Sequence, residues 1–402
     1  MRLKRGSTRR SWRAPKPPVG VWWVLALLAV AGGVTTRDIW LMWWRGETFA
    51  PESTDLQDAQ RAFAVGDLTA SVNISARRYA SHPDDWNALT LLVRSLIYRS
   101  YVDFQHEGDR AEALKLTTQA TMRNNPSAPV LAIHALALQA NRRAEEAVRT
   151  ALRAIDRDRE NVVARLALAL GYSSSGLFEA GLREAERAVG IAQASASDWR
   201  WDALRAKAIT LSDLGRYQDA LNTVEEALTV NRRLIPAHFE KALYALQLAQ
   251  GDAAAAAYFN VLAFDSQNVK ARFRLCELSS SVRERDNAIR YCGEVTERRP
   301  DWAEGWYRLG REHFLNGNFR QAQQALSRCS ALQIAQGVPI VERRLECWYL
   351  QGQAAEIVGD CEGLLGAYNE FLTMAVIGNL PQTWLYPPEG PAICLTPVGS
   401  SS

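Results

Sequence analysis

No cysteine precedes Cys276 in this chain, and only five histidines occur in it. His82, His106, His134, His238 and His313 are scattered, with no HExxH pair and no cysteine at zinc spacing beside any of them, so no metal site is expected. A CxxCH haem attachment, a glycine loop that could cradle phosphate and a nucleophile elbow are all missing. The paired acids Asp84-Asp85 and Glu225-Glu226 fit solvated charges or helix-start residues. Nowhere do an acid, a base and a nucleophile converge, which argues against an enzyme; no cofactor and no small-molecule substrate are expected. Alternation of β-branched residues at strand spacing is also scarce, while alanine, leucine, arginine and glutamate dominate the middle of the chain. The expected fold is all-α.

Two further absences organise the amino terminus. The first eighteen residues contain no acid but carry Arg2, Lys4, Arg5, Arg9, Arg10, Arg13 and Lys16, and Val19 to Thr36 contains no charge at all. Eighteen helical residues span roughly 27 Å, close to the thickness of a hydrocarbon core. Trp22 and Trp23 mark one interface, and Trp40, Trp43 and Trp44 stand where a second aromatic belt would lie. Residues 1–18 therefore read as a basic cytoplasmic tail and 19–36 as a transmembrane helix with an aromatic flank to 44, leaving the rest of the chain outside the cytoplasm. The same segment also fits a cleavable signal peptide ending near Ala29-Val30-Ala31. The anchor is preferred because apolar character resumes from Ile39 to Trp44 and the basic region is long for a signal. Without the tail, 40 basic residues face 44 acidic ones, a net −4 with no basic stripe, so nucleic acid is not an expected partner.

What the chain has in abundance is a repeated spacing. Trp306-x-x-Leu309-Gly310-x-x-His313 is followed by Gly317-x-Phe319-x-x-Ala322, with Leu326 beyond. Small residues at Gly310 and Ala322 allow two helices to approach closely, Gly317 ends the first helix, and the large apolar residues fill the seam. The best second copy is Ala208, Gly215-x-Tyr217-x-x-Ala220 and Ala227; another runs through Trp348, Gly352, Gly359, Leu364 and Tyr368. Weaker copies centre on Gly251 with Ala256 and Ala263, on Gly176 with Gly181 and Ala188, and on Gly108 with Ala113 and Ala120. Arg283 with Ala288 and Arg142 with Ala147 keep the spacing without the turn glycine, and Gly66 with Ser71 opens the series.

This pattern resembles the tetratricopeptide repeat (TPR). The resemblance covers 55–375 and implies a right-handed superhelical solenoid of about nine helical hairpins, stacked because one hairpin cannot bury its own apolar face. Residues 376–402, with Pro381, Pro387, Pro388, Pro391 and Pro397, cannot continue it; they form a tail or a cap in which Trp384, Leu385 and Tyr386 fold back on the last repeat. In TPR proteins positions 2, 5, 9, 12 and 13 of each first helix line a concave groove that receives an extended peptide or a helix. Carried onto this chain, those positions include Arg205, Lys241, Lys270, Phe273, Tyr307, Arg311, Phe314 and Tyr349. The lysine and asparagine pattern with which some TPR domains grip chaperone carboxyl termini is absent. Together with the uncharged segment 19–36, the resemblance implies a membrane-tethered scaffold for a partner protein, or an accessory factor for assembling envelope polysaccharide, secretion or respiratory machinery.

The six cysteines all lie in the last third, an even number that permits three bridges in an exported protein. Cys276 and Cys292 occupy positions 8 and 24 of one repeat, facing each other across the hairpin seam. Cys329 with Cys347 and Cys361 with Cys394 is one of the remaining connectivities. Buried thiols acting as small apolar residues fit the same positions.

Overall fold

The computed structural model describes residues 55–123, 125–379 and 384–395, all in the compact unit that begins at Thr54. The tail at 1–18, the apolar segment 19–36 and its flank to 44 lie outside the described residues. Among those described, no helix is long and apolar enough to cross a membrane.

Alanine-rich segments of 3.6-residue periodicity, separated by residues that leave the helical region, produce helical hairpins and no strand among the described residues. The first three repeats are α1 (Leu56–Ala64) with α2 (Leu68–Ser81), α3 (Trp86–Val102) with α4 (Asp109–Thr121), and α5 (Ala128–Ala140) with α6 (Ala144–Arg157). The middle three are α7 (Val162–Ser174) with α8 (Phe178–Ala194), α9 (Arg200–Asp213) with α10 (Tyr217–Val230), and α11 (Ile235–Gln247) with α12 (Gly251–Phe264). The last three are α13 (Val269–Ser281) with α14 (Arg285–Arg298), α15 (Ala303–Leu315) with α16 (Phe319–Ala335), and α17 (Glu346–Val358) with α18 (Cys361–Ile377). Each helix packs against the next along the series, the nearest-neighbour order of a solenoid.

A residue with positive φ makes the turn in eight of the nine hairpins: Gly66, Arg142, Gly176, Gly215, Ala249, Arg283, Gly317 and Gly359. The sixth repeat corrects the sequence reading. Its turn residue is Ala249 at φ 57°, two positions before Gly251, and the small buried positions are Ala254 and Val261 rather than the exposed Ala256 and Ala263. Close approach is clearest at Gly310, where an added Cβ would come within 2.5 Å of Leu326 Cγ.

One helix departs from the solenoid plan. In α3, twelve of seventeen residues are buried, so this helix is covered on nearly every side. It packs on its sequence neighbours and also, across the interior, on the inner helices of the fifth to seventh repeats. Leu91 and Tyr98 share one apolar cluster with Trp201, Leu211, Leu234 and Tyr244, and Val102 joins Ile235, Val261 and Ala271. Arg94 and Asp202 pair at the centre of this contact with side chains 6% and 4% exposed. Tyr98 Oη donates to Asp202 at 2.8 Å, Arg94 donates to the Asp198 carbonyl at 2.9 Å, and the rings of Phe63, Trp199 and Trp201 lie 4.1–4.8 Å from the guanidinium. A charge pair this dry is held by its hydrogen bonds on every side, and removing one partner would leave the other uncompensated.

The other end is closed by different means. Sulfur pairs at bonding distance join Cys276 to Cys292, Cys329 to Cys347 and Cys361 to Cys394, with Cα–Cα distances of 5.3, 6.0 and 5.2 Å. The first lies within the seventh repeat, the second joins the eighth to the ninth, and the third ties α18 to the segment after it. There Trp384 sits on Gly352, at which a Cβ would come within 2.3 Å of the indole. Tyr349, Tyr368 and Phe371 surround the same ring at centroid distances of 5.0–5.3 Å. Tyr386 donates to Glu356 at 2.6 Å, whereas Leu385 is exposed.

Candidate functional site

The inner helices α9, α11, α13, α15 and α17 bring most of the residues picked out in the sequence to one curved surface, but the two ends of that surface differ. Towards α9 it is filled by α3. Arg205 reaches Glu240 at 2.7 Å and lies over the rings of Tyr98 and Tyr101 at 5.3 and 5.1 Å. Lys270 donates to the Tyr101 carbonyl at 2.6 Å with its ammonium 4.6 Å from the Phe239 ring. Burial, reinforced by the nearby Arg274 guanidinium, lowers Lys270 to about 8. Phe273 is 5% exposed, packed against Phe104 and Trp302 at 5.9 and 4.9 Å. The end of α3 also caps α13: Asp103 accepts from the Val269 N–H at 2.9 Å and Asn268 Nδ2 donates to the Val102 carbonyl at 3.1 Å. Three of the eight groove residues thus contact the chain's own second repeat.

Lys241 is turned away from this surface by the two-residue shift in the sixth repeat and pairs with Glu225 on α10 at 2.7 Å. His238 is shifted likewise, buried with Nε2 2.9 Å from the Arg232 carbonyl. In the corrected register the inner positions of α11 are Pro236, Phe239, Leu243 and Leu246, which the sequence reading did not single out. They form one wall of an open cavity of about 640 Å³, which Tyr101, Arg205, Tyr258 and Lys270 also line. Leu243 and Leu246 remain 48% and 38% exposed in it. The missed signal was the inner-face spacing Phe239, Leu243, Leu246, hidden by the absence of a glycine at 249.

Past the contacts of Phe104 with Phe273 and Trp302, α15 and α17 carry the rest of the surface. Tyr307 is itself buried, with the Arg344 guanidinium 4.4 Å and that of Arg308 5.8 Å from its ring. Arg311 donates to Glu312 at 2.8 Å and to Ser280 at 3.3 Å. Phe314 stacks edge-on against Phe319 of its own hairpin at 5.4 Å, and Tyr349 is 38% exposed beside Trp384. Arg274, Arg308 and Arg344 were also missed. Arg274 meets Glu277 at 2.6 Å, Glu277 meets Arg308 at 3.4 Å, Arg308 meets Glu304 at 2.8 Å and Glu304 meets Arg344 at 2.8 Å. Among the described residues no group of three or more histidine, cysteine or acidic side chains is placed to hold a metal ion.

No family model matches the chain, and no curated protein matches it. Solved structures do. A chain of the APC/C hetero-tetramer Cut9–Hcn1 superposes with a TM-score of 0.51 at 12% identity, covering 74% of this chain and 54% of its own length. The C-terminal part of a TPR repeat-containing protein from Cytophaga hutchinsonii gives a TM-score of 0.51 at 13% identity, covering 61% of this chain and 98% of its own. The chain thus spans about half the length of the first of these. At such identities the likeness establishes a TPR-like fold and nothing finer.

Proposed function

We propose that this protein is a membrane-tethered scaffold that holds a partner protein in the exposed part of its inner groove, outside the cytoplasm. The observation that carries the reading is the surface from α11 to α17. It joins exposed Leu243 and Leu246 in an open cavity to a row of half-exposed guanidiniums, so an apolar recess adjoins arginines, a residue type enriched in binding hot spots. The Cut9–Hcn1 structure is that of a hetero-tetramer, which supports an interaction role by fold analogy alone. Export is supported by the basic tail before an uncharged stretch at 19–36 and by the pairing of all six cysteines. Signal-peptide cleavage after Ala31 is the second reading of that segment, and it keeps the repeats on the same side.

Photo-crosslinking from residue 246, in the same cavity, in intact membranes tests the function. Recovery of one protein, lost in Leu243→Asp, is the expected result; recovery only from outer-layer positions such as residue 222 contradicts it. Protease treatment of inverted vesicles tests the side: protected repeats are expected, and digestion of them contradicts export.

A further inference from the structure

The exposed part of the groove has a charge of its own. Residues 19–402 taken together are net negative, with 40 basic against 44 acidic side chains. Along the row that crosses α13, α15 and the start of α17, however, Arg274, Arg308 and Arg344 meet Glu277 and Glu304, and Lys270 stands at the end of the row against the Tyr101 carbonyl. Each of the two carboxylates is shared between two guanidiniums, Glu277 by Arg274 and Arg308 and Glu304 by Arg308 and Arg344. Two further acids act on Lys270. Glu240 is already paired with Arg205, and Asp103 lies behind the row with one oxygen engaged by the Val269 N–H at the start of α13. Even with Asp103 set against Lys270, the row keeps an excess of positive charge.

The donors are also held in place. Arg308 lies 5.6 Å from the ring of Phe273, and Arg344 lies 4.4 Å from that of Tyr307. Stacked guanidiniums have lost much of their rotamer freedom already, so a ligand that engages them pays less to order them. Their side chains remain 43%, 30% and 38% exposed for Arg274, Arg308 and Arg344, which leaves N–H groups free for carboxylate oxygens. Arg274 and Glu277 line both this row and the apolar cavity of Leu243 and Leu246, so the two features are continuous. Neighbouring inner helices packed roughly 10 Å apart make the row about 20 Å long, a span of about six extended residues.

We propose that this surface receives an extended segment of a partner protein in which an apolar side chain stands next to a run of aspartate or glutamate. The apolar side chain occupies the cavity beside Leu243 and Leu246, and the acids lie along Arg274, Arg308 and Arg344. Lys270, held by the Tyr101 carbonyl, lines the cavity at the junction between the two subsites. This inference rests on the groove-binding function proposed above and adds the chemistry of the ligand.

The test is selection of random displayed peptides against the full-length chain in lipid nanodiscs, followed by anisotropy measurements on the winners. Peptides enriched in acids beside leucine or phenylalanine are expected. Their binding should weaken at least tenfold between 50 and 300 mM salt, on the order expected for several unscreened charges, and at least tenfold in the double variant Arg274→Gln, Arg308→Gln. The salt series uses the unaltered protein, so a folding defect in the variant does not obscure the result. Winners that are lost with Leu243→Asp but show no acidic enrichment and no salt dependence overturn the ligand chemistry and leave groove binding standing. Winners indifferent to Leu243→Asp, or no winners at all, overturn both.

Discussion

The first six repeats and the last three are built from the same hairpin, yet they complete it differently. The first six contain no cysteine, and the second repeat packs across the inner side of the later ones, its α3 reaching α9, α11 and the start of α13 and leaving Leu243 and Leu246 exposed beside it. The last three carry all three sulfur pairs, are closed by Trp384, and present half-exposed Arg274, Arg308 and Arg344 along the inside. Covalent ties and a terminal aromatic cap hold the last repeats together without using the inner arginines. Those side chains are then available to another molecule. In the earlier repeats the inner side chains are what holds the structure together.

The strongest way to break this contrast is to remove the centre of the α3 contact. Asp202→Ala leaves Arg94 buried without its partner and should cost about 3–5 kcal/mol. Hydrogen exchange should rise in α3, α9 and α11 while α15 to α18 keep their protection; a uniform rise over all nine repeats would show one cooperative body instead of two regimes. Next in size is the pair Cys276→Ala, Cys292→Ala, which frees a short loop and should cost roughly 3 kcal/mol. Its effect should be confined to the seventh repeat and its neighbours, as a reductant titration followed by mass-resolved exchange would reveal. The smallest sharpens the seam between the regions: Ala249→Gly relieves a left-handed alanine and should raise the urea midpoint by the equivalent of about 0.5–1 kcal/mol.

The repeat architecture was legible because it rests on local chemistry. Small residues at positions such as Gly310, Ala322, Ala208 and Ala220 are forced by helix approach, and they recur in a fixed frame. The frame failed in the sixth repeat because Ala249 adopts a backbone conformation that nothing local leads one to expect of alanine. A slip of two residues rotates a helix by about 200°, which is why Lys241 reads as an inner residue in the unshifted frame and Leu243 does not. The filling of the groove was harder to read, since it depends on contacts between repeats far apart in the chain. Even so, the run Trp86-Asn87-Ala88-Leu89-Thr90-Leu91-Leu92-Val93 carries apolar residues on more faces than a two-sided solenoid helix can bury. That excess called for a third neighbour. Which neighbour it was could not be known before the curvature of the stack.

Arg94 and Asp202 are 108 residues apart in sequence, and that distance has a meaning in time. At about 5–20 residues per second, a ribosome needs roughly 5–20 s between making one and making the other. Throughout that interval the newborn second repeat exposes Leu91, Tyr98 and an unpaired Arg94, although its local hairpin can already form. Most repeat proteins can propagate order from any point along the stack. Here the early helices wait for a later part of the chain, so the non-local closure should set the pace of folding, and the interval before it is when the nascent protein is most in need of shelter.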